Sequence, residues 1–470
     1  MKFINRLKET ERLDSLVERR QGGLVVLWGR RRVGKTRLLL EWCRKHNGLY
    51  TVADQSSSDI QRKYLAEAVA GRFAGFDETE YPDWRVLLRR IARESVTVSW
   101  RGPLIFDEFP YLVTASRELP SIFQHWIDHE AKNAGLIVAI AGSSQRMMQG
   151  FVMNASSPLY GRAAESFELK PLRAGYIKKA FGLKNNRKSI EAYAVWGGTP
   201  RYWELAEEYA HNLDIAVDRC VLDPLSPLHR EPDRLLMEEM PPAVSLRPVL
   251  DAIGMGIHRL SEIAARLGQP ATSLSRPLTR LIDLGLVVKE IPFNSSEKSG
   301  KKTLYRIADP FFRFWFRVTA PHRALLTDAS KSVRLKLWSK TRDALFAETW
   351  EELCRKSVSF LTDVDTPLSE FGPWEPALRY WHGEGPEWDI VAKSVNKKFL
   401  LLGEVKWRKQ KATPAFIKRT SHDLIKKGIP PVGKCSECKI VYAVFVPETT
   451  INRYQEVYII DASSVLSLLR

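Results

Sequence analysis

Gly29-Arg30-Arg31-Arg32-Val33-Gly34-Lys35-Thr36 meets the G-x-x-x-x-G-K-[ST] spacing in full. Its flanks decide the fold. The apolar run Leu24-Val25-Val26-Leu27-Trp28 precedes it, and Arg37-Leu38-Leu39-Leu40-Glu41-Trp42 opens a helical pattern after it. A buried strand that turns through glycines into a helix aims several backbone N–H groups at one point, where phosphate is held. Lys35 would reach the outer phosphates of ATP, and the Thr36 hydroxyl would hold Mg2+. Gly29, Arg32, Val33, Gly34 and Arg37 complete the expected cradle.

A second element answers the first about 70 residues on. Pro103-Leu104-Ile105-Phe106-Asp107-Glu108 is an apolar run ending in two carboxylates. Asp107 suits Mg2+, and Glu108 suits polarisation of the attacking water. The run Leu136–Ala141 ends in Gly142-Ser143-Ser144, where a hydroxyl of Ser143 or Ser144 can sense the γ-phosphate. Three continuous apolar runs separated by helical patterns read as a doubly wound α/β domain with a parallel sheet. The alternative is a structural glycine turn plus an exposed acidic pair. Arg162, within Pro158-Leu159-Tyr160-Gly161-Arg162, is a candidate to bring charge to the γ-phosphate, from its own chain or from a neighbour in a homo-oligomer. A solvated arginine is the rival reading. His125 and His129 stand four apart, but Trp126 occupies the place where a zinc-protease helix needs Glu, so a structural helix is expected.

Composition sets the outer bounds. A chain of 470 residues should hold about three domains. Hydrophobic residues at 44%, with 14 Trp and 20 Phe, exclude a disordered or fibrous chain. The net charge of +17 suits a polyanionic partner, nucleic acid before membrane. No run has the length and apolarity of a signal core or a membrane span. Five scattered cysteines fit a reducing cytoplasm. Cys435-Ser-Glu-Cys438 has half of a zinc-site spacing, and two ordinary thiols in a turn are the simpler expectation.

The rhythm divides the chain into an ATPase core over 1–170, a helical lid over 171–245, a winged helix-turn-helix over 246–320 and a mixed α/β domain over 321–470. The third segment opens with Ser261-Glu262-Ile263-Ala264-Ala265-Arg266-Leu267 and turns at Gly268-Gln269-Pro270. A second helix buries Leu274, Leu278, Leu281 and Ile282, with Pro277 expected in its first turn. That leaves Thr272, Ser275, Arg276, Thr279 and Arg280 facing outward, the set a recognition helix presents to the major groove of DNA. Two strands follow as a wing, with Lys298, Lys301 and Lys302 at its tip. Such modules also serve as protein contacts, so the DNA reading has a rival.

In the last segment, Glu387-Trp388-Asp389-Ile390-Val391-Ala392 and Phe399-Leu400-Leu401-Leu402-Gly403-Glu404-Val405-Lys406-Trp407 read as a hairpin. Glu404 and Lys406, two apart, share a face, and Asp389 can meet them from the paired strand. Two carboxylates and a lysine suit metal-assisted phosphodiester cleavage, with Asp389 and Glu404 on Mg2+ and Glu351 completing the set from a helix. Residues 393–427 hold 11 Lys and Arg against 2 acidic residues, a charge suited to DNA. An ordinary amphipathic hairpin is the alternative.

Asn5-Arg6, the phosphate loop, Phe-Asp-Glu-Phe-Pro-Tyr-Leu, Gly-Ser-Ser, Ser-Pro-Leu-Tyr-Gly-Arg, Trp-Gly-Gly-Thr-Pro-Arg-Tyr and Asp-Pro-Phe-Phe-Arg-Phe-Trp-Phe occur in that order. In this the chain resembles the archaeal-type ATPases, a branch related to AAA+ and signal-transduction ATPases. The resemblance implies a P-loop NTPase (AAA+-like) with a helical lid, a winged helix-turn-helix and a C-terminal α/β restriction-endonuclease-like domain. It implies Lys35, Thr36, Asp107 and Glu108 for Mg-ATP, and Asp389, Glu404 and Lys406 for a PD-(D/E)xK-type set. Relatives of that nuclease fold often carry Glu-Cys-Lys where this chain has Glu404-Val405-Lys406. The middle residue points to the other face.

Overall fold

The computed structural model describes residues 3–19, 21–152, 154–239, 246–295, 302–362, 366–383, 385–431 and 438–470. The chain forms two compact units, residues 3–171 and 172–470.

In the first unit, five strands form one parallel sheet: β1 (Gly23–Trp28), β2 (Leu49–Val52), β3 (Pro103–Asp107), β4 (Ile137–Gly142) and β5 (Ala163–Glu168). Their order is β2-β3-β4-β1-β5. Alternate residues go to opposite faces, and both faces are covered. Leu24, Val26, Leu104, Phe106, Val138 and Ile140 enter one core, while Val25, Leu27, Ile105, Ala139 and Ala141 enter the other. Double burial explains why β1, β3 and β4 read as unbroken apolar runs. The sequence reading lacks β2 and β5, because β2 is short and half-exposed and β5 alternates as Ala-Ala-Glu-Ser-Phe-Glu at the sheet edge.

The second unit begins with helices packed in one core that runs from Leu172 to Phe346, built around Trp196, Trp203, Phe311, Trp315 and Trp338. Within it the Leu260–Leu267 helix stops at Gly268, where φ of 62° puts the backbone in the left-handed region that glycine tolerates. A short 3-10 turn, Ala271–Leu274, leads into the Ser275–Asp283 helix. Pro277 is the third residue of that helix, where its missing N–H breaks no intrahelical bond. Strands β6 (Val287–Glu290) and β7 (Leu304–Ile307) then pair antiparallel. Lys298 and Lys301 lie outside the described residues.

The Lys331–Ser357 helix leads to a six-stranded sheet of β8 (Leu378–Tyr380), β9 (Trp388–Lys393), β10 (Phe399–Val405), β11 (Lys439–Phe445), β12 (Arg453–Tyr454) and β13 (Val457–Ile460). The order is β12-β13-β11-β10-β9-β8. Strands β8, β9 and β10 are antiparallel neighbours. The Pro414–Lys426 helix crosses over so that β11 lies parallel to β10. This sheet too is covered on both faces, which leaves its strand ends as the place for chemistry.

Candidate functional site

The phosphate loop is built by backbone constraint. Gly29 has φ of 149°, and a Cβ there would lie 2.5 Å from the Leu169 carbonyl oxygen, so only glycine fits. Arg32 and Gly34 also take positive φ, 69° and 97°. Gly34 starts the Lys35–Lys45 helix with no side-chain cap, so the first-turn N–H groups point toward an incoming anion. Arg6, which sequence reasoning noted only as a family mark, braces the loop from behind: its buried guanidinium donates to the Val33 carbonyl at 2.8 Å.

Strand order explains the rest of the site. Because β4 lies between β1 and β3, the residue just past β4 falls between the loop and the Asp107-Glu108 pair. That residue is Ser143. The buried Lys35 Nζ donates to the Gly29 carbonyl at 2.7 Å and to Ser143 Oγ at 3.0 Å. Ser143 Oγ donates in turn to Glu108 Oε1 at 2.5 Å, and Ser143 N donates to Glu108 Oε2 at 3.2 Å. Glu108 itself sits at φ 53°, a left-handed conformation held by this pair of bonds. Thr36 Oγ1 donates to Asp107 Oδ2 at 2.7 Å, and the Tyr50 hydroxyl donates to the same oxygen at 2.8 Å. Burial, then Asp107, push the Tyr50 hydroxyl far above the ordinary phenol range, so it stays a donor. The Thr36 hydroxyl beside the Asp107 carboxylate is a pair of hard oxygens that fits Mg2+.

Other expected residues are placed elsewhere. Ser144 Oγ accepts from Met147 N in the next helix, so Ser143 alone of the pair faces Lys35. Arg37 pairs with Glu41 one turn on. Arg162 Nε is held by Asp128 at 2.9 Å, and its Nη1 donates to the Pro158 and Tyr160 carbonyls. The His125 and His129 rings stack edge to face at 4.7 Å while Trp126 is buried, as a structural helix requires.

In the second unit, the β9–β10 register places Gly403 opposite Ile390, and so Glu404 opposite Asp389. Val405 N donates to Asp389 Oδ2 at 2.8 Å. Lys406 Nζ donates to Glu404 Oε1 at 2.6 Å. Lys427, a residue that sequence reasoning missed inside its basic run, donates to Glu404 Oε2 and to the Glu387 carbonyl. Burial and then Glu404 raise the Asp389 pKa, while burial and then Asp389 raise that of Glu351. Burial disfavours the Lys406 charge, but Glu404, Asp389 and Glu351 outweigh it and raise its pKa. Glu351 is therefore within electrostatic reach, yet its carboxylate pairs with Arg355 at 3.7 Å, and Arg355 also donates to the Asp389 carbonyl. Among the described residues no group of three or more His, Cys, Asp or Glu is set to hold a metal ion. The expected three-carboxylate ligand set is thus not gathered, and in this arrangement the site does not fit a metal. Asp389 and Glu404 form a pair whose second member is clamped by two ammonium groups.

On the Ser275–Asp283 helix, Ser275, Arg276 and Thr279 are exposed and Arg280 is half-buried; Lys302 is exposed. The Cys435 candidate lies outside the described residues, and Cys438 is disulfide-bonded rather than the expected free thiol. No helix among the described residues is long and apolar enough to cross a membrane.

Residues 3–205 match a family described as an ATPase domain predominantly from Archaea. Over these residues the chain is similar to that family. The parallel sheet and the glycine-built loop give that part of the chain an α/β P-loop fold. Residues 315–416 match a second family, archaeal and bacterial proteins of unknown function, and this span includes Glu351, Asp389, Glu404 and Lys406. An uncharacterized protein of Methanocaldococcus jannaschii is 28% identical over 428 residues, covering 90% of this chain and 91% of the relative. Among solved structures, the Walker-type ATPase of Pyrococcus abyssi aligns with a TM-score of 0.49 at 22% identity, over 67% of this chain and 96% of that one. The ORC2 protein of Aeropyrum pernix aligns with a TM-score of 0.43 at 12% identity, over 73% and 96%.

Proposed function

We propose that this protein is a Mg-dependent ATP hydrolase that binds DNA and carries a separate phosphodiester-cleaving site at its C-terminal sheet. In the first unit Lys35 and the loop N–H groups hold the phosphates, Thr36 and Asp107 hold Mg2+, and Glu108 orients the water. Ser143 links Lys35 to Glu108, so the lysine that meets the γ-phosphate and the carboxylate that meets the water share one hydroxyl. In the second unit the Leu260–Asp283 segment with β6 and β7 acts as a winged helix that places Ser275, Arg276, Thr279 and Arg280 on DNA, with Lys302 beside β7. The single observation that carries the cleavage reading is Asp389 facing Glu404 across β9 and β10 with Lys406 two residues on, within a helix–three strands–helix–strand order.

A second reading is an ATP-gated DNA-binding regulator that does not cut. It is favoured by the two lysines on Glu404 and by the ungathered carboxylates. Cleavage of plasmid and linear DNA with Mg2+, with and without ATP, separates the two. Cutting by the wild type and not by Lys406→Ala supports the first; DNA retained uncut by both supports the second.

A further inference from the structure

The Asp107 carboxylate is buried, and buried carboxylate oxygens need donors. Oδ1 accepts from the Glu108 N–H at 2.9 Å. Oδ2 accepts from two hydroxyls, that of Thr36 at 2.7 Å and that of Tyr50 at 2.8 Å. Thr36 already has a task, because its oxygen is the other half of the Mg2+ pair. Tyr50 has none in the reading above. Strand register brings it there. β2 lies parallel to β3 with Tyr50 opposite Ile105 and Val52 opposite Asp107, so the phenol reaches two residues onward along the strand. Its ring packs on the core that holds Leu38, Leu39 and Trp42 of the helix bearing Thr36. The ring is thus fixed at its base, with its hydroxyl on the one oxygen that Thr36 also touches.

We propose that Tyr50 is a positioning residue of the nucleotide site: its hydroxyl holds the Asp107 carboxylate in the orientation that, with Thr36, accepts Mg2+, and so sets how strongly nucleotide binding depends on the metal. The proposal rests on the reading of Thr36 and Asp107 as the Mg2+ pair. Its physical basis is the freedom of a carboxylate about its last bond. Of the two hydroxyls on Oδ2, Thr36 also has the metal to hold, which leaves Tyr50 as the donor with no other duty. With the Glu108 N–H on Oδ1, it fixes the carboxylate at both ends before a nucleotide arrives. Loss of such a partner behind a metal ligand typically costs roughly 10–100-fold in metal affinity.

The test is the affinity of the full chain for a fluorescent, non-hydrolysable ATP analogue, measured in Mg2+ and in EDTA. Tyr50→Phe deletes the hydroxyl and keeps the ring, and Asp107→Asn serves as the reference. Wild type should bind more tightly in Mg2+, and Asp107→Asn should lose that advantage. Tyr50→Phe should keep its affinity in EDTA while its Mg2+ advantage shrinks roughly tenfold. The double variant should lose no more than Asp107→Asn alone; a further loss there overturns the proposal. A tyrosine that only packs gives a different pattern: a lower melting temperature and weaker binding in both media, with their ratio unchanged. That pattern, or a Mg2+ advantage equal to that of wild type, overturns the proposal and leaves the metal pair standing. A wild type that gains nothing from Mg2+ overturns the proposal together with the reading beneath it.

Discussion

The two candidate sites are made in opposite ways. At the phosphate loop the chain fixes its own backbone: Gly29 fits where any Cβ would strike Leu169, Gly34 opens a helix end, and Arg6 braces Val33. At the C-terminal sheet the backbone is ordinary and the site is an assembly of side chains. Asp389, Glu404, Lys406 and Lys427 come from β9, β10, the residue after β10 and the end of a helix, joined by hydrogen bonds, and Asp389 and Lys406 are shifted by the charges beside them. A backbone cradle is set before its ligand arrives. A balanced set of charges changes its affinity whenever one member moves.

That contrast is open to direct attack. Lys35→Ala should lower ATP turnover roughly 1,000-fold, the largest effect expected, because it removes the ammonium that bridges the Gly29 carbonyl and Ser143. Turnover measured by phosphate release checks it, and DNA binding should be unchanged. Glu108→Gln should cost about 100-fold in turnover while ATP still binds, since the amide keeps the bond to Ser143 but cannot accept a proton. Turnover at the wild-type rate would remove Glu108 from its role. A smaller effect is expected at the exposed helix: Arg276→Ala should weaken DNA binding about tenfold and reduce the salt slope by roughly one. An unchanged slope would assign that helix to a protein partner.

The smallest effect concerns pH. Burial opposes the Glu348 charge, but Arg313, Arg317 and Arg306 overcome it and hold the pKa at about 2, below its ordinary 4.5. The folded-state value is the lower one, so its stabilisation is complete above pH 4.5 and is lost as pH falls through about 2. Thermal melting of wild type should therefore decline over that window, and Glu348→Gln should flatten the decline. Equal pH dependence in both proteins would remove the arginine cluster as its cause.

The difference between the sites also sets what the sequence reveals. Backbone constraints must be written contiguously, so the loop, the Asp107-Glu108 pair and three central strands can be read directly. The strand order cannot, and it is the insertion of β4 between β1 and β3 that selects Ser143 over Ser144. At the C-terminal sheet, Glu404 and Lys406 are legible because they are two apart, and Asp389 follows from the hairpin. Lys427 stays hidden among the 11 basic residues of its stretch, because only the packing of its helix singles it out. Glu351 is found as a nearby charge, but its pairing with Arg355 depends on helix position that no local pattern encodes. Tyr50 is missed for a similar reason: its partner Asp107 comes from the neighbouring strand β3.

The central claim is that a second, chemically independent site stands at the C-terminal sheet. It is tested most directly by cleavage of supercoiled plasmid, with and without added divalent cation, by wild type and Asp389→Asn, a change of charge with almost no change of shape. The account predicts cutting by the wild type, loss of cutting in Asp389→Asn, and equal ATP hydrolysis by both. No cutting by the wild type, or cutting that survives in Asp389→Asn, contradicts it.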